Sequence, residues 1–300
     1  YREFENITKL NQDFIVGVSG GPDSLALCFL TKIYSIKKSL NAYYYIIDHR
    51  LRKNSSTEAK SVKNLLKKNN IKSDILKWYG KKPISNVQSM ARNKRYSLLI
   101  KQAKKLNIKN ILTGHHLDDM YENFFIRISR GSGLNGLVSF GEYTKRDKVN
   151  ILRPMISFEK KYLNYVTTKV FRSYIKDPSN EDNKFKRVRI RKLIKNLQND
   201  GLDKNKFLLT IKNLTDSNET IKFYVAKNLK DNSYIYKDKS KIILNEEFFN
   251  QPHEVTFRSL TEIIRFVGNK YYSVRGKKVD VIIDKLKGEN KFSIKLTLGN

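Results

Sequence analysis

Cysteine is almost missing from this chain: Cys28, inside the apolar stretch LALCFL, is the only one among 300 residues. One thiol can build neither a disulfide framework nor a cysteine-ligated metal site, and its scarcity fits a reducing compartment. Packing is its expected role. Long apolar runs are missing too; every such stretch is short and broken by Lys or Asn, so no membrane span is expected. Acidic residues are scarce, 29 against 60 basic, leaving a formal charge of +31. Such an excess repels itself unless it meets a polyanion, and nucleic acid is the usual partner. The excess is concentrated in residues 1–200, net +24, against +7 for residues 201–300. A chain-wide bias toward Lys, Asn, Ile and Tyr is the competing explanation. The expected location is the bacterial cytoplasm. Because the chain opens at Tyr1 and not at Met, residues are expected to precede it, which leaves an organellar address open.

An apolar content of 39% over this length supports a full core, read as one large domain with a smaller one. Phe14 to Val18 reads as a strand, SGGPDS as a turn, and Leu25 to Ile33 as a helix. Further strands are expected at Tyr43 to Ile47, Ile71 to Trp78 and Asn110 to Thr113. Between them, Ser55 and Glu58 have capping-box spacing, and Asn86 is placed to cap a helix running to about Leu106. A helix begins near Leu117, the glycine-rich stretch RGSGLNGL (130–137) connects onward, Val149 to Leu152 returns to the sheet, and a helix follows from about Glu159. Alternating strands and helices give an α/β class with a parallel sheet. Beyond about residue 200 the pattern turns mainly helical, with segments near 205–229, 254–267 and 276–287 and a hairpin near 233–244. The expected domains are therefore 1–200 and 201–300, with no internal repeat.

Two motifs carry chemistry. In Ser19, Gly20, Gly21, Pro22, Asp23 and Ser24, glycines between strand and helix let backbone N–H groups turn inward at a helix N-terminus, which makes a phosphate cradle. The form GxxxxGK[ST] is absent. The second motif, GHHLDDMYEN (114–123), follows the fourth strand. On its helix Leu117, Met120, Tyr121, Phe124, Phe125 and Ile128 form an apolar face, and Asp119 and Glu122 lie a turn apart on the remaining one. Both acids would also suit an ordinary helix start. Their place beyond a parallel strand and beside the cradle marks a ligand site. His115 and His116 without cysteine or HExxH make poor zinc chemistry, and Mg²⁺ held by carboxylates and phosphates is favoured.

The six-residue loop matches the SGGxDS signature of the PP-loop ATP pyrophosphatases, and the chain resembles the tRNA(Ile)-lysidine synthetase family. That resemblance rests on IDHRLR (47–52), MARNKRY (90–96), TGHHLDD (113–119), RGSGLNGL (130–137), RPMI (153–156) and DPSNEDNKFKRVRIR (177–191). It implies a PP-loop catalytic domain, a C-terminal tRNA-binding domain, and cleavage of ATP to AMP and pyrophosphate with Mg²⁺. It implies that Ser19 to Ser24 and Asp48 bind ATP, and that Asp119, Glu122 and Arg191 form the reacting centre, with Asp119 also a magnesium ligand. Arg92, Arg95, Arg187 and Arg191 are the expected tRNA contacts. The expected partners are tRNA(Ile) with a CAU anticodon and free L-lysine, with a homodimer left open. Two positions depart from the family pattern, Asn123 in place of Thr and Val188 in place of Asn. A PP-loop tRNA thiolase and a non-catalytic RNA-binding protein are the alternatives.

Overall fold

Strand β1 (Phe14–Val18) divides its side chains between two apolar cores, because successive residues of a strand point to opposite faces. Phe14, Val16 and Val18 pack with Leu25, Leu27, Cys28 and Leu66 on one side, while Ile15 packs with Tyr96, Leu99, Ile100 and Ala103 on the other. Burial on both faces is why β1 reads as one continuous apolar run. In the computed structural model the described residues are 1–52, 54–80, 87–175, 186–236, 241–268 and 276–287. The expected cap Asn86 and the whole of DPSNEDNKF (177–185) lie outside them.

Around β1 the order is α1 (Arg2–Thr8), β1, α2 (Pro22–Lys38), β2 (Ala42–Asp48), α3 (Ser55–Lys68), β3 (Ser73–Lys77), α4 (Val87–Lys105), β4 (Asn110–Thr113) and α5 (Leu117–Ile128). There follow a short α6 (Leu134–Leu137), β5 (Tyr143–Arg146), β6 (Val149–Leu152), α7 (Lys160–Phe171) and α8 (Lys186–Asn199). The strands form one sheet in the order β3-β2-β1-β4-β6-β5, parallel except for β5 against β6. The chain moves outward from β1 to β3 and then crosses to β4 on the far side of β1. That reversal opens a crevice at the carboxyl ends of β1 and β4, where open α/β sheets bind ligands.

Two local expectations are corrected. Ser55 and Glu58 form no capping box: Asn54 is the N-cap, Ser55 Oγ accepts from Arg52 N (3.2 Å), and Glu58 pairs with the Arg52 guanidinium (3.3 Å). Arg52 captures both partners the box required. Strand β5 has no counterpart among the expected strands, because YTKR carries no apolar alternation; it is an edge strand joined to β6 through Asp147 (φ 50°) and Lys148 (φ 66°), the paired left-handed residues of a tight hairpin turn.

The chain divides into two compact units, Tyr1–Asp203 and Lys204–Asn300. In the second, α9 (Lys204–Asn232), the hairpin β7 (Ser233–Ile235) and β8 (Ile242–Leu244), α10 (His253–Val267) and α11 (Gly276–Lys287) surround Phe248, Leu260, Val279 and Ile283. Inside it, buried Asn228 donates to Phe248 O (3.3 Å) and Ser259 Oγ (3.2 Å), which meets the hydrogen-bonding need of an amide in an apolar core. Among the described residues, no helix is long and apolar enough to cross a membrane.

Candidate active site

The turn from β1 into α2 is shaped by what its glycine avoids. Gly20 sits at φ +84°, and a Cβ there would lie 2.4 Å from Val62 Cγ2, so both backbone and space call for glycine. Ser24 closes the loop: its hydroxyl accepts from the N–H groups of Ser19 (3.2 Å) and Gly20 (3.0 Å) and donates to Gly21 O (3.0 Å). These amides converge on one oxygen, the kind of arrangement that takes a phosphate oxygen at a helix N-terminus. Pro22 is the first residue of α2, where its missing N–H costs nothing. Thr167 of α7 donates to Pro22 O (2.6 Å) from 145 residues away, and Ile175 N donates to Gly20 O (3.0 Å). The cradle is therefore braced from outside its own motif.

Across the crevice, Gly114 lets the end of β4 meet the start of α2. A Cβ there would stand 3.0 Å from Asp23 O and Ser24 Cα. His116 then caps α5 reciprocally, its Nδ1 accepting from Asp118 N (3.2 Å) while the Asp119 carboxylate accepts from His116 N (3.1 Å). With Nδ1 an acceptor, the ring proton belongs on Nε2. Nε2 faces Asp23 Oδ2 (3.5 Å) and Asp119 Oδ2 (3.6 Å), tying the two motifs together. Burial opposes charge on His116, but the hydrogen bond to Asp23 and the charge of Asp119 outweigh it, and its pKa is raised. The other oxygen of Asp23, Oδ1, is buried without a hydrogen-bond partner.

His115 has the opposite environment. Its Nδ1 lies 2.9 Å from Thr113 Oγ1, its ring meets Phe140 edge to face at 5.2 Å, and burial with Arg92, Arg153, Arg95 and Arg187 around it holds its pKa well below the ordinary value. It is a neutral imidazole among cations. Arg92 stacks over Tyr96 (5.5 Å) and Phe140 (5.7 Å). Arg153, 4% exposed, lies 4.7 Å over Phe140 and donates to Gly141 O and Thr144 Oγ1, each at 2.8 Å.

Glu122 is only 3% exposed and accepts from Arg191 Nε, with Arg187 Nε at 4.0 Å from its other oxygen. Burial raises its pKa, and Arg191 opposes that rise. Glu122, expected on the face beside the apolar one, is thus covered by α8, while Ile128, assigned to the apolar face, is 48% exposed. Both departures from the family pattern find a place. Asn123 Oδ1 accepts from Arg127 Nε (2.7 Å), and Val188 lies on the buried side of α8 with Ile190 and Ile194.

The structure brings Ser19 to Ser24, His116 and Asp119 together at one crevice and sets Glu122 with Arg187 and Arg191. Arg92 and Arg95 stand on α4, close enough to His115 to depress its protonation. Asp48 differs: only 1% exposed, it accepts from Arg50 N (3.0 Å) and Ser56 Oγ (2.6 Å) and organises the turn after β2. Sequence reasoning passed over His116 as a bridge, Thr167, Phe140 and Arg153. A possible metal role was the only one weighed for the histidine, and the other three carry no local signal, since their partners are distant or backbone.

The model of the PP-loop domain, a family of ATP-binding domains, matches residues 1–197. This chain belongs to the PP-loop family. Among curated PP-loop relatives, it is 37% identical over 191 residues to the tRNA(Ile)-lysidine synthase of Rhodopseudomonas palustris, covering 63% of this chain and 55% of that protein. The same-named protein of Orientia tsutsugamushi is 34% identical over 269 residues, 86% of this chain and 60% of that one. That of Wolbachia sp. subsp. Brugia malayi is 31% identical over 282 residues, 92% of this chain and 64% of that one. The chain therefore spans less than two thirds of each of these relatives. Among solved structures, the U34-tRNA thiolase NcsA from Methanococcus maripaludis, with its 4Fe-4S cluster, aligns at a TM-score of 0.62 and 18% identity, covering 72% of this chain and 78% of that one. At that identity the PP-loop fold is what the two share.

Proposed function

We propose that this chain is a tRNA(Ile)-lysidine synthetase, using ATP to join free L-lysine to C2 of the wobble cytidine of a tRNA(Ile) with a CAU anticodon. The observation that carries this reading is the His116 bridge, which holds Asp23 of the phosphate cradle and Asp119 of the β4–α5 motif at one crevice. The names of the curated relatives point the same way. Residues 1–203 are read as the catalytic unit and 204–300 as a tRNA-binding unit, in the bacterial cytoplasm.

The chemistry follows from a poor leaving group. Cytidine O2 attacks the α-phosphorus of ATP, the α–β phosphoanhydride bond breaks, and pyrophosphate departs, leaving O2 as an AMP ester. The lysine ε-amine then attacks C2, the C2–O2 bond breaks, and AMP leaves with that oxygen. Amides of Ser19 and Gly20 with Ser24 hold phosphate oxygens as charge develops. The amine must be neutral to attack, and with a reference pKa of about 10.4 only about one molecule in a thousand is neutral near neutral pH. A carboxylate must therefore take its proton. Asp119 suits that role, being 24% exposed at the crevice, whereas Glu122 is committed to Arg191. Arg187, Arg191, Arg92 and Arg95 serve as tRNA contacts, and the wobble base of an anticodon loop is already unstacked.

Asp23, with its unpartnered buried oxygen, and Asp119 fit a Mg²⁺ ion shared with ATP phosphates, and such an ion neutralises phosphate charge. Asp48 supports the adenine side through the turn it organises. No observation on the single chain favours a homodimer. The thiolase alternative needs a reactive thiol, and Cys28 is fully buried with its pKa pushed up by burial. A non-catalytic RNA-binding protein would leave ATP intact. Incubation with tRNA, ATP and labelled lysine decides among the three: lysine transfer to tRNA with AMP release supports the proposal, and either sulfur transfer or intact ATP overturns it.

A further inference from the structure

Beyond the crevice, the ends of β2 and β3 carry a second concavity that the mechanism does not use. Its volume is about 320 Å³, and His49, Arg50, Leu51, Trp78, Tyr79 and Gly80 line it. We propose that it is a nucleobase subsite, receiving an unpaired base of the RNA substrate next to the one that reacts. This rests on the tRNA reading above.

The pocket is built rather than incidental. Arg50 is held at φ +53°, a left-handed conformation that a non-glycine residue rarely adopts without local support. The buried Asp48 carboxylate fixes it there by accepting Arg50 N at 3.0 Å, and Trp78 N donates to Asp48 O at 2.9 Å. The result sets the Arg50 guanidinium over the Tyr79 ring at 5.2 Å. Gly80, at φ +141°, turns the chain tightly past Trp78, whose Nε1 would lie 3.3 Å from a Cβ at that position.

The lining has the chemistry of base recognition. Trp78 supplies a nearly buried indole, Tyr79 is a ring 72% exposed, and His49 meets Trp78 edge to face at 6.3 Å. His49 Nδ1 is buried with no hydrogen-bond partner among the described residues, a polar atom left for a ligand's edge. Burial and then Arg95 lower the His49 pKa to about 4, so the ring is neutral and can donate or accept. Arg50 over the Tyr79 ring and Lys94 at 6.0 Å from the Trp78 ring bring a cation to each of the two rings. A base within a polynucleotide carries phosphate on both sides, and this pairing of rings and cations is how single-stranded RNA is held. The adenine of ATP shares the base chemistry but brings phosphates on one side only. Arg95 links the pocket to the reacting centre, since it acts on both His49 and His115.

Trp78 is the only tryptophan of the chain, so its fluorescence reports this pocket alone. The experiment titrates the protein with tRNA and, separately, with ATP, following Trp78 fluorescence while tRNA binding is measured independently by anisotropy. Binding of tRNA is expected to quench Trp78, and ATP is not. Tyr79→Ala, at an exposed position that leaves the core intact, should weaken tRNA binding about 5- to 150-fold, the range for one lost base stack, with ATP affinity unchanged. Tyr79→Phe should restore it. If tRNA binds but leaves Trp78 unquenched, or Tyr79→Ala binds normally, the subsite is wrong and the proposed function stands. Quenching by ATP alone would make this an adenine pocket and overturn the inference. Failure of tRNA to bind at all would remove both readings.

Discussion

Glu122 and Arg191, 69 residues apart in sequence, form a half-buried ion pair that ties α8 to α5. Glu122 is 3% exposed while the Arg191 side chain is 36% exposed, so removing either breaks the pair and leaves charges with unequal access to water. Glu122→Gln and Arg191→Ala should each lower stability, and a double-mutant cycle by chemical denaturation should give a coupling of about 1 to 3 kcal/mol. Additive effects would mean that the pair contributes nothing to the fold. Asp119→Asn keeps an acceptor for His116 N but removes a charge from the His116 bridge, so it should lower stability modestly and cut the single-turnover rate steeply.

Gly20 tests the cradle. Gly20→Ala meets both the positive φ and the methyl of Val62, so ATP affinity measured by calorimetry should fall at least about tenfold. Adding Val62→Ala should recover part of the loss, because it removes the clash and leaves the backbone strain. Full recovery would show that φ is irrelevant there, and no loss in the single variant would remove the cradle assignment.

Much of this was legible in the sequence for a physical reason. Phe14–Val18 and Asn110–Thr113 are short apolar runs ended by glycine motifs, and the crevice follows from strand order once those motifs end β1 and β4. What was hidden depends on contacts distant in sequence. The cover that α8 lays over Glu122 comes from residues 69 positions away, and Thr167 reaches Pro22 across 145 residues. Strand β5 was illegible because an edge strand needs no apolar pattern.

The histidines should titrate apart. His116, bridged to two carboxylates, stays protonated above the ordinary value, while His49 and His115 stay neutral below it. The charge-assisted part of the His116 bridge is at full strength below the unfolded pKa and is lost as pH rises through the raised one, while the neutral ring keeps its Nε2–H toward the carboxylates. His49 acts oppositely: stability falls as pH drops from about 6.5 toward about 4, since only the unfolded chain takes up that proton. NMR titration of the imidazole resonances checks the order. Three histidines titrating together near the ordinary value would contradict the bridge.

Cys28→Ala removes the chain's only thiol from a fully buried site. It should cost about 1 kcal/mol of stability at most, from a small cavity, and leave lysine incorporation within a few-fold. Total loss of activity in a folded variant that still binds ATP would bring thiol chemistry back into consideration.

Adenylation of a tRNA base followed by lysine transfer is the reaction on which the proposed function stands. Its most direct measurement supplies purified protein with tRNA(Ile) bearing a CAU anticodon, α-³²P-labelled ATP and ¹⁴C-labelled lysine, and follows both labels. One AMP should be released per lysine joined to tRNA, with neither product formed when tRNA is omitted. ADP as the main nucleotide product, or AMP release without lysine in the RNA, would contradict it.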